Sequence, residues 1–360
     1  MGELVQLEIG SIVEGWKIDG KLGEGAFGAV YVCSKDNKKY ALKVESVHEK
    51  VGFLKMELTV LSKLKEQDRL RHFCTIEDKG RHKDFFYIVM TMVGKSLQVN
   101  VTSEIMQELR LEAQNKKFSL GTAISVGIKC LEALEDLHNI GYLHRDVKPG
   151  NFAIGRPEVK ELRNVYVLDF GMARLYIHED GTMRNPRALT GFRGTVKYAP
   201  LSAHILRELC RKDDVESWLY MVVELTNGKL PWRNMTEINA IGVSKKQCRK
   251  DKGIKKLFGG CPRKYIEILQ ICDKTKFFDT PDYEKIYSLM RNAIQDTRSQ
   301  EYPYDWEKPT PVMESDEHGA DLLSQYKSTV MGAPTAAQSP PRKEAVDKAD
   351  KEINVEPKAS

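Results

Sequence analysis

Over the first ninety residues the apolar positions come in short β-type runs, and beyond them they fall into helical spacing. Trp16–Leu22, Ala29–Ser34, Tyr40–Glu45 and Phe85–Thr91 are rich in β-branched and aromatic residues and predict strands. Gly52–Lys65, set between them, carries apolar residues at i, i+3 and i+4 and predicts one helix. After Gly94 the same spacing predicts helices at Ser119–Asn139, Asp213–Thr226, Arg263–Cys272 and Pro281–Ile294. The pattern is therefore α+β: a small β-rich lobe over 16–91 with one helix, a hinge at 92–95, and a larger helical lobe over 96–308. No internal repeat interrupts it. Residues 1–15 form a leading segment, and 309–360, with Ala-Pro-Thr-Ala-Ala-Gln-Ser-Pro-Pro at 333–341, are expected to be a disordered tail.

Composition changes this picture little. The 360 residues are 41% hydrophobic, enough for a substantial core, which excludes disorder throughout. The net charge is +5, but residues 311–360 hold nine acidic and six basic side chains, which leaves +8 on residues 1–310. Solvated surface charge explains that excess as readily as an anionic partner does. The seven cysteines are scattered without a C-x-x-C pair, which suggests neither a disulfide framework nor a zinc site and predicts mostly buried thiols. Met1–Gln6 lacks the basic and apolar regions of a signal peptide, and no apolar run approaches the roughly 20 residues that span a bilayer. The expectation is a soluble protein of the cytoplasm, with the nucleus as a second compartment, and without membrane partners.

The candidate chemistry begins with Gly23-Glu24-Gly25-Ala26-Phe27-Gly28-Ala29-Val30, a G-x-G-x-x-G-x-V pattern that lets backbone approach phosphate oxygens. In dinucleotide folds a helix follows such glycines; here Ala29-Val30-Tyr31-Val32 favours a strand, and an ordinary hairpin turn stays open on this motif alone. Lys43, ending Tyr40-Ala41-Leu42-Lys43, needs an anion if it points inward, and Glu57 on the predicted helix is one candidate. His144-Arg145-Asp146-Val147-Lys148-Pro149-Gly150-Asn151 is far more specific: an aspartate and, five residues later, an asparagine can hold a proton acceptor beside a metal ligand. An apolar strand, Val165–Leu168, then delivers Asp169-Phe170-Gly171, the second oxygen ligand expected for Mg²⁺.

These five elements, in this order, make the chain resemble eukaryotic protein kinases from about Trp16 to Trp306. It is similar to the casein kinase 1 group through Leu42-Lys43-Val44-Glu45, the run Met90–Leu97 ending in Gly-Lys-Ser-Leu, Asn151–Gly155, Asp213–Ser217, Leu230-Pro231-Trp232 and Pro281-Asp282-Tyr283. Within that group it looks nearest to the tau-tubulin kinases through Lys43–Ser46, Leu54–Glu57, Gly191–Ala199 and Tyr304–Lys308. The resemblance implies a bilobal kinase fold and a monomer using ATP and Mg²⁺ to phosphorylate Ser/Thr hydroxyls of protein substrates. It implies that Gly23, Gly25 and Gly28 cover the phosphates, that Lys43 contacts them and pairs with Glu57, and that Asn151 and Asp169 hold Mg²⁺. It gives Asp146 the substrate hydroxyl and Lys148 the γ-phosphate. Leu22, Val30, Ala41, Met90 and Ala153 would wall the adenine, and Met92 and Val93 would meet its edge. A catalytically silent kinase-fold scaffold is the alternative, against which the full set of polar groups argues.

Two features set the substrate side apart. Where most kinases close the activation segment with Ala-Pro-Glu, this chain reads Ala199-Pro200-Leu201-Ser202. The group often prefers acidic or phosphorylated substrates, so Lys197, Lys245, Lys246 and Arg193 are the candidate anion site, amid Arg174, Arg184 and Arg187. Thr182, Thr190 and Thr195 are available for phosphorylation, yet no upstream kinase is expected to be needed. The basic run Lys245–Lys252 reads alternatively as a nuclear-localisation patch; lacking interleaved aromatics, it predicts no stable nucleic-acid partner.

Overall fold

The computed structural model describes residues 4–25, 28–98 and 117–307. The expected tail, and Ala26 and Phe27 between the second and third phosphate-loop glycines, lie outside the described residues.

The small lobe is a six-stranded antiparallel sheet in the order β1-β2-β3-β4-β6-β5. Its strands are β1 (Ile12–Val13), β2 (Trp16–Gly25), β3 (Gly28–Lys35), β4 (Lys38–Ser46), β5 (Ile76–His82) and β6 (Phe85–Thr91). Inward side chains Ile18, Ala29, Tyr31, Cys33, Leu42, Val44 and Val89 form one cluster. Val5 and Leu7 pack on that cluster, and the Leu7 N–H donates to the Tyr31 hydroxyl at 3.0 Å. The small lobe therefore begins before Trp16. Helix α1 (Phe53–Glu66) lies across the sheet and turns Leu54, Glu57, Val60, Leu61 and Leu64 inward. The expected helix is thus present, displaced by one residue at each end.

The large lobe is organised around α4 (Arg211–Asn227), where every residue from Asp213 to Val223 is buried. A helix buried on nearly all sides is the centre of the core, and its buried carboxylates Asp213, Asp214 and Glu216 need partners there. Its neighbour α2 (Leu120–Asn139) is capped by Ser119, whose hydroxyl accepts the Thr122 N–H. The Trp218 indole N–H donates to the Gly127 carbonyl at 2.8 Å, which fixes the register of α4 on α2. Among the described residues, α3 (Leu201–His204), α5 (Ile238–Gln247), α6 (Asp251–Phe258), α7 (Lys264–Lys274) and α8 (Tyr283–Asp296) are the other α-helices of the lobe.

Short strands β7 (Tyr142–Leu143) and β10 (Arg174–Leu175) pair with each other, as do β8 (Phe152–Ile154) and β9 (Val165–Val167). They hold the two chemistry-bearing loops at the junction of the lobes. Six cysteines are buried and Cys261 is half-buried, all as free thiols. No described helix is long and apolar enough to cross a membrane.

Candidate active site

The β2–β3 hairpin places Gly23 opposite Val30 and Gly25 opposite Gly28, so the phosphate-loop glycines stand at its turn. The three do not share one reason for being glycine. A side chain at Gly25 would meet open space, whereas at Gly28 (φ +146°) a Cβ would sit 2.1 Å from the Val44 carbonyl of β4. Gly28 is thus required by strand packing as well as by any phosphate.

Behind the hairpin, Lys43 on β4 faces α1, and its ammonium forms an ion pair with the buried Glu57 and lies 3.4 Å from Asp169 Oδ1. Burial alone would lower the Lys43 pKa; the Asp169 and Glu57 carboxylates outweigh it and hold the ammonium above its ordinary value. Ala41 pairs with Met90 across β4 and β6, and Ala153 pairs with Tyr166 across β8 and β9. Met90, Met92 and Ala153 are buried, while Leu22, Val30, Ala41 and Val93 are half-buried. At the lobe junction the Gly94 N–H donates to the Ile154 carbonyl at 2.8 Å. A Cβ on Gly94 would meet the Gly155 carbonyl at 2.8 Å, so only glycine admits this crossing.

The catalytic-loop residues converge as the spacing required. Asp146 Oδ2 accepts from Lys148 Nζ at 2.7 Å, and its Oδ1 accepts the Thr195 N–H and hydroxyl, each at 2.7 Å. Asn151 Nδ2 donates to the Asp146 carbonyl at 2.8 Å, and the Asn151 carbonyl accepts the Leu168 N–H at 2.8 Å. That second bond ties the loop to the strand delivering Asp169. Burial would raise the Asp169 carboxyl; Lys43 and the Gly171 N–H hold it below its usual value. Phe170 is buried between Phe73 and His144, with ring centroids 6.0 and 5.7 Å away.

One residue of this site carried no role in the sequence reading. Arg145 (φ +67°) and Asp169 (φ +60°) occupy the left-handed region, at a cost of about 1–3 kcal/mol each. Buried Asp214 of α4 compensates the first by accepting both the His144 N–H at 2.7 Å and the Arg145 N–H at 2.9 Å. His138 also bonds it at 2.9 Å, and together these hold Asp214 below the usual carboxylate range against the effect of burial. The signal in the sequence was two adjacent aspartates opening an apolar helix, where one would suffice as a cap.

The expected anion site does not assemble. Lys245 is fully buried: its ammonium donates to the Val196 carbonyl at 2.8 Å, the Ala199 carbonyl at 2.6 Å and His204 Nε2 at 3.0 Å. The Tyr220 and Trp232 rings lie 5.3 and 5.2 Å from it. With all three donors used inside the protein, Lys245 holds the substrate-facing loop and is corrected from an anion ligand to a positioning residue. Lys197 pairs with Glu224 at 2.6 Å, so its charge too is already met. Lys246 and Arg193 are exposed. Thr195, expected to be free for modification, is occupied by Asp146 and Lys148.

The missing Ala-Pro-Glu glutamate has a replacement. Glu216 of α4 accepts the Leu201 N–H at 2.9 Å and pairs with Arg249 at 2.8 Å. A carboxylate from the helix below thus ties the end of the segment to the large lobe where Leu201 cannot.

The donor set suits magnesium. Mg²⁺ takes one or two protein oxygens and completes its shell with water and phosphate oxygens. Asn151, with its amide nitrogen committed to Asp146, presents its side-chain oxygen as the remaining ligand atom, and Asp169 supplies a carboxylate. Among the described residues no group of three His, Cys, Asp or Glu could form an all-protein metal cage, which is compatible with that open mode.

Residues 16–297 match the protein kinase domain family. The chain is 35% identical over 306 residues to a probable serine/threonine-protein kinase of Dictyostelium discoideum, covering 84% of this chain and 58% of that protein. It is 36% identical over 299 residues to the serine/threonine-protein kinase spe-6 of Caenorhabditis elegans, covering 81% and 75%. A casein kinase I homologue of Kluyveromyces lactis is 28% identical over 303 residues, 81% of this chain and 53% of that protein. With a β-rich small lobe, a helical large lobe and this loop geometry between them, the chain belongs to the protein kinase family, among relatives that are serine/threonine kinases.

Proposed function

We propose that the chain is an active serine/threonine protein kinase that transfers the γ-phosphoryl group of MgATP to Ser/Thr hydroxyls of proteins. The observation that carries the reading is the Asp146 carboxylate, held by Lys148, Thr195 and Asn151 in the loop that the Leu168 N–H ties to the strand delivering Asp169. In the transfer the hydroxyl oxygen attacks the γ-phosphorus, the bond to the bridging oxygen breaks, and ADP leaves. Asp146 orients the hydroxyl and takes its proton; Lys148 and Lys43 meet charge on the phosphates; Asn151 and Asp169 would hold Mg²⁺, which would supply further charge neutralisation.

The resemblance to the casein kinase 1 group has support in the Kluyveromyces relative, and the tau-tubulin branch rests on the quoted sequence runs. A preference for acidic or phosphorylated sites rests on Arg184, Arg193 and Lys246, which are exposed, Lys197 and Lys245 being otherwise engaged. The folded part is read as a monomer acting on protein substrates.

Transfer from ATP to casein and to matched acidic and basic peptides tests the reading, with Asp146→Asn beside wild type. The expected result is transfer favouring the acidic peptide and falling by about 10²–10⁴-fold in the variant, the range for a lost general base. Thermal stabilisation by ADP and Mg²⁺ should persist in both. Nucleotide binding by wild type without transfer would instead favour the scaffold.

A further inference from the structure

Five arginines gather where the activation segment meets the large lobe. Arg145, Arg187, Arg193 and Arg207 line a cleft together with Thr190, Gly191 and Glu208, and Arg174 approaches it from β10. Concentrating cations beside a catalytic loop is unfavourable: burial, with Arg174 and Arg193 as neighbours, pulls the Arg145 guanidinium down to about 10. In many kinases an added phosphate draws such arginines together and orders the segment. Here the place is already taken by a carboxylate of the chain itself.

Glu208, in the connection between α3 and α4, is the one acid among the described residues lining the cleft, and its side chain is only 6% exposed. Its Oε2 accepts from Arg187 Nε at 2.5 Å and its Oε1 from Arg187 Nη2 at 3.2 Å, a two-pronged pair. Oε1 also lies 3.4 Å from Arg174 Nε. Arg174 opens the activation segment and Arg187 lies mid-way along it, so one carboxylate grips the segment at two places. The grip is anchored on both sides: Leu209 is buried, and the Thr190 N–H donates to the Leu206 carbonyl at 3.1 Å.

We propose that Glu208 is a built-in counter-anion of the activation segment, a positioning residue that holds Arg174 and Arg187 to the large lobe and offsets the charge of Arg145 without added phosphate. The inference rests on the kinase reading and gives its independence from an upstream kinase a physical cause. A phosphothreonine brings a charge of about −1.5 to −2 and three oxygens. Glu208 brings one charge and two oxygens, sufficient for the two arginines it touches.

The test is the kcat for phosphate transfer to dephosphorylated casein by the full chain, in wild type, Glu208→Ala and Glu208→Asp. Each is assayed with potassium sulfate and with potassium chloride at equal ionic strength. Glu208→Ala should lose about tenfold in kcat with the KM for ATP unchanged, and sulfate, not chloride, should restore about fivefold by entering the vacated place. Wild type should gain nothing from sulfate, and Glu208→Asp should stay within about twofold of wild type. A wild-type kcat in Glu208→Ala overturns the proposal, as does a loss that sulfate does not reverse and aspartate does not avoid, because that pattern means packing alone. Should the alanine variant fail to fold by thermal melting, Glu208→Gln, which keeps the volume and removes the charge, should lose about tenfold in kcat without recovery in sulfate, and a wild-type kcat in it overturns the proposal. Absence of transfer by wild type would remove the kinase reading itself, and the inference with it.

Discussion

Asp146 has no freedom to choose its position, because the peptide ahead of it is held in a strained conformation by Asp214. The left-handed φ of Arg145 persists only while two successive N–H groups find an acceptor, and the acceptor is one buried carboxylate. Asp214→Asn keeps the shape but turns an amide donor or a single oxygen toward two donors and His138, leaving buried polar groups unmet. The expected cost is about 3 kcal/mol in urea denaturation, with at least a tenfold loss in kcat. A variant as stable and active as wild type would show that the loop needs no such acceptor. Lys43, Glu57, Asp146, Asn151 and Asp169 were legible as a set, since phosphoryl transfer asks for those residue types at those separations. Lys245 was not, because sequence shows charge and not direction, and nothing local says that an ammonium on an exposed-looking basic run will find two carbonyls and an imidazole.

At the level of elements, α5 acts as a grip on the loop that follows Thr195. Lys245 holds the carbonyls of Val196 and Ala199, while Trp232, just ahead of α5, donates to the Lys197 carbonyl at 2.8 Å. Since Thr195 touches Asp146, the four residues after it lie where a protein substrate must approach. Lys245→Met, which keeps the volume and removes the donors, should raise the KM for casein about tenfold and leave the KM for ATP unchanged. Equal changes in both constants would mean general damage. The strands and helices with strong periodicity were legible to within one to three residues, as in the helix expected at Ser119–Asn139 and found at Leu120–Asn139. β5 was not, because Ile76-Glu77-Asp78-Lys79-Gly80-Arg81-His82 contains one large apolar residue and owes its conformation to pairing with β6 at the sheet edge. α5 was missed because Lys and Gly interrupt its apolar face, and α6 because Ile254, Leu257 and Phe258, though at i, i+3 and i+4, lie in only eight residues; the packing of Ile241, Lys245, Leu257 and Phe258 on the lobe makes them helices.

Burial pulls the Lys245 ammonium down to about 7, so below that pH it is charged, and from there the whole molecule should respond to acid in two stages, because its other buried titratable groups are depressed for two different reasons. Burial and the neighbouring Lys245 charge pull the His204 imidazole down to about 4, so it stays neutral and its Nε2 accepts from Lys245 while Nδ1 donates to the Ile238 carbonyl at 3.0 Å. The unfolded histidine titrates near 6.5, so below that pH the unfolded chain binds a proton that the folded chain refuses. Stability contributed by neutral His204 is therefore complete above about 6.5 and declines as the pH falls from there to about 4. Asp169, Asp214, Glu208 and Glu216 are carboxylates held below their ordinary values by cations and N–H donors that outweigh burial. Their contribution is present above the unfolded pKa of about 4 and is lost as the pH drops through their lower folded values. Glu45 and Asp213, raised by burial, titrate in the opposite sense and soften the second stage. Urea denaturation at about pH 6.5, 5.5, 4.5 and 3, below the Lys245 titration, should show a shallow decline followed by a steep one. His204→Gln, which keeps an oxygen acceptor for Lys245, should remove about one proton from the slope between pH 6.5 and 4 and leave the steep stage in place. An unchanged slope in that variant would place the first stage on another group and leave His204 charged in the folded protein, which its bond from the Lys245 ammonium forbids.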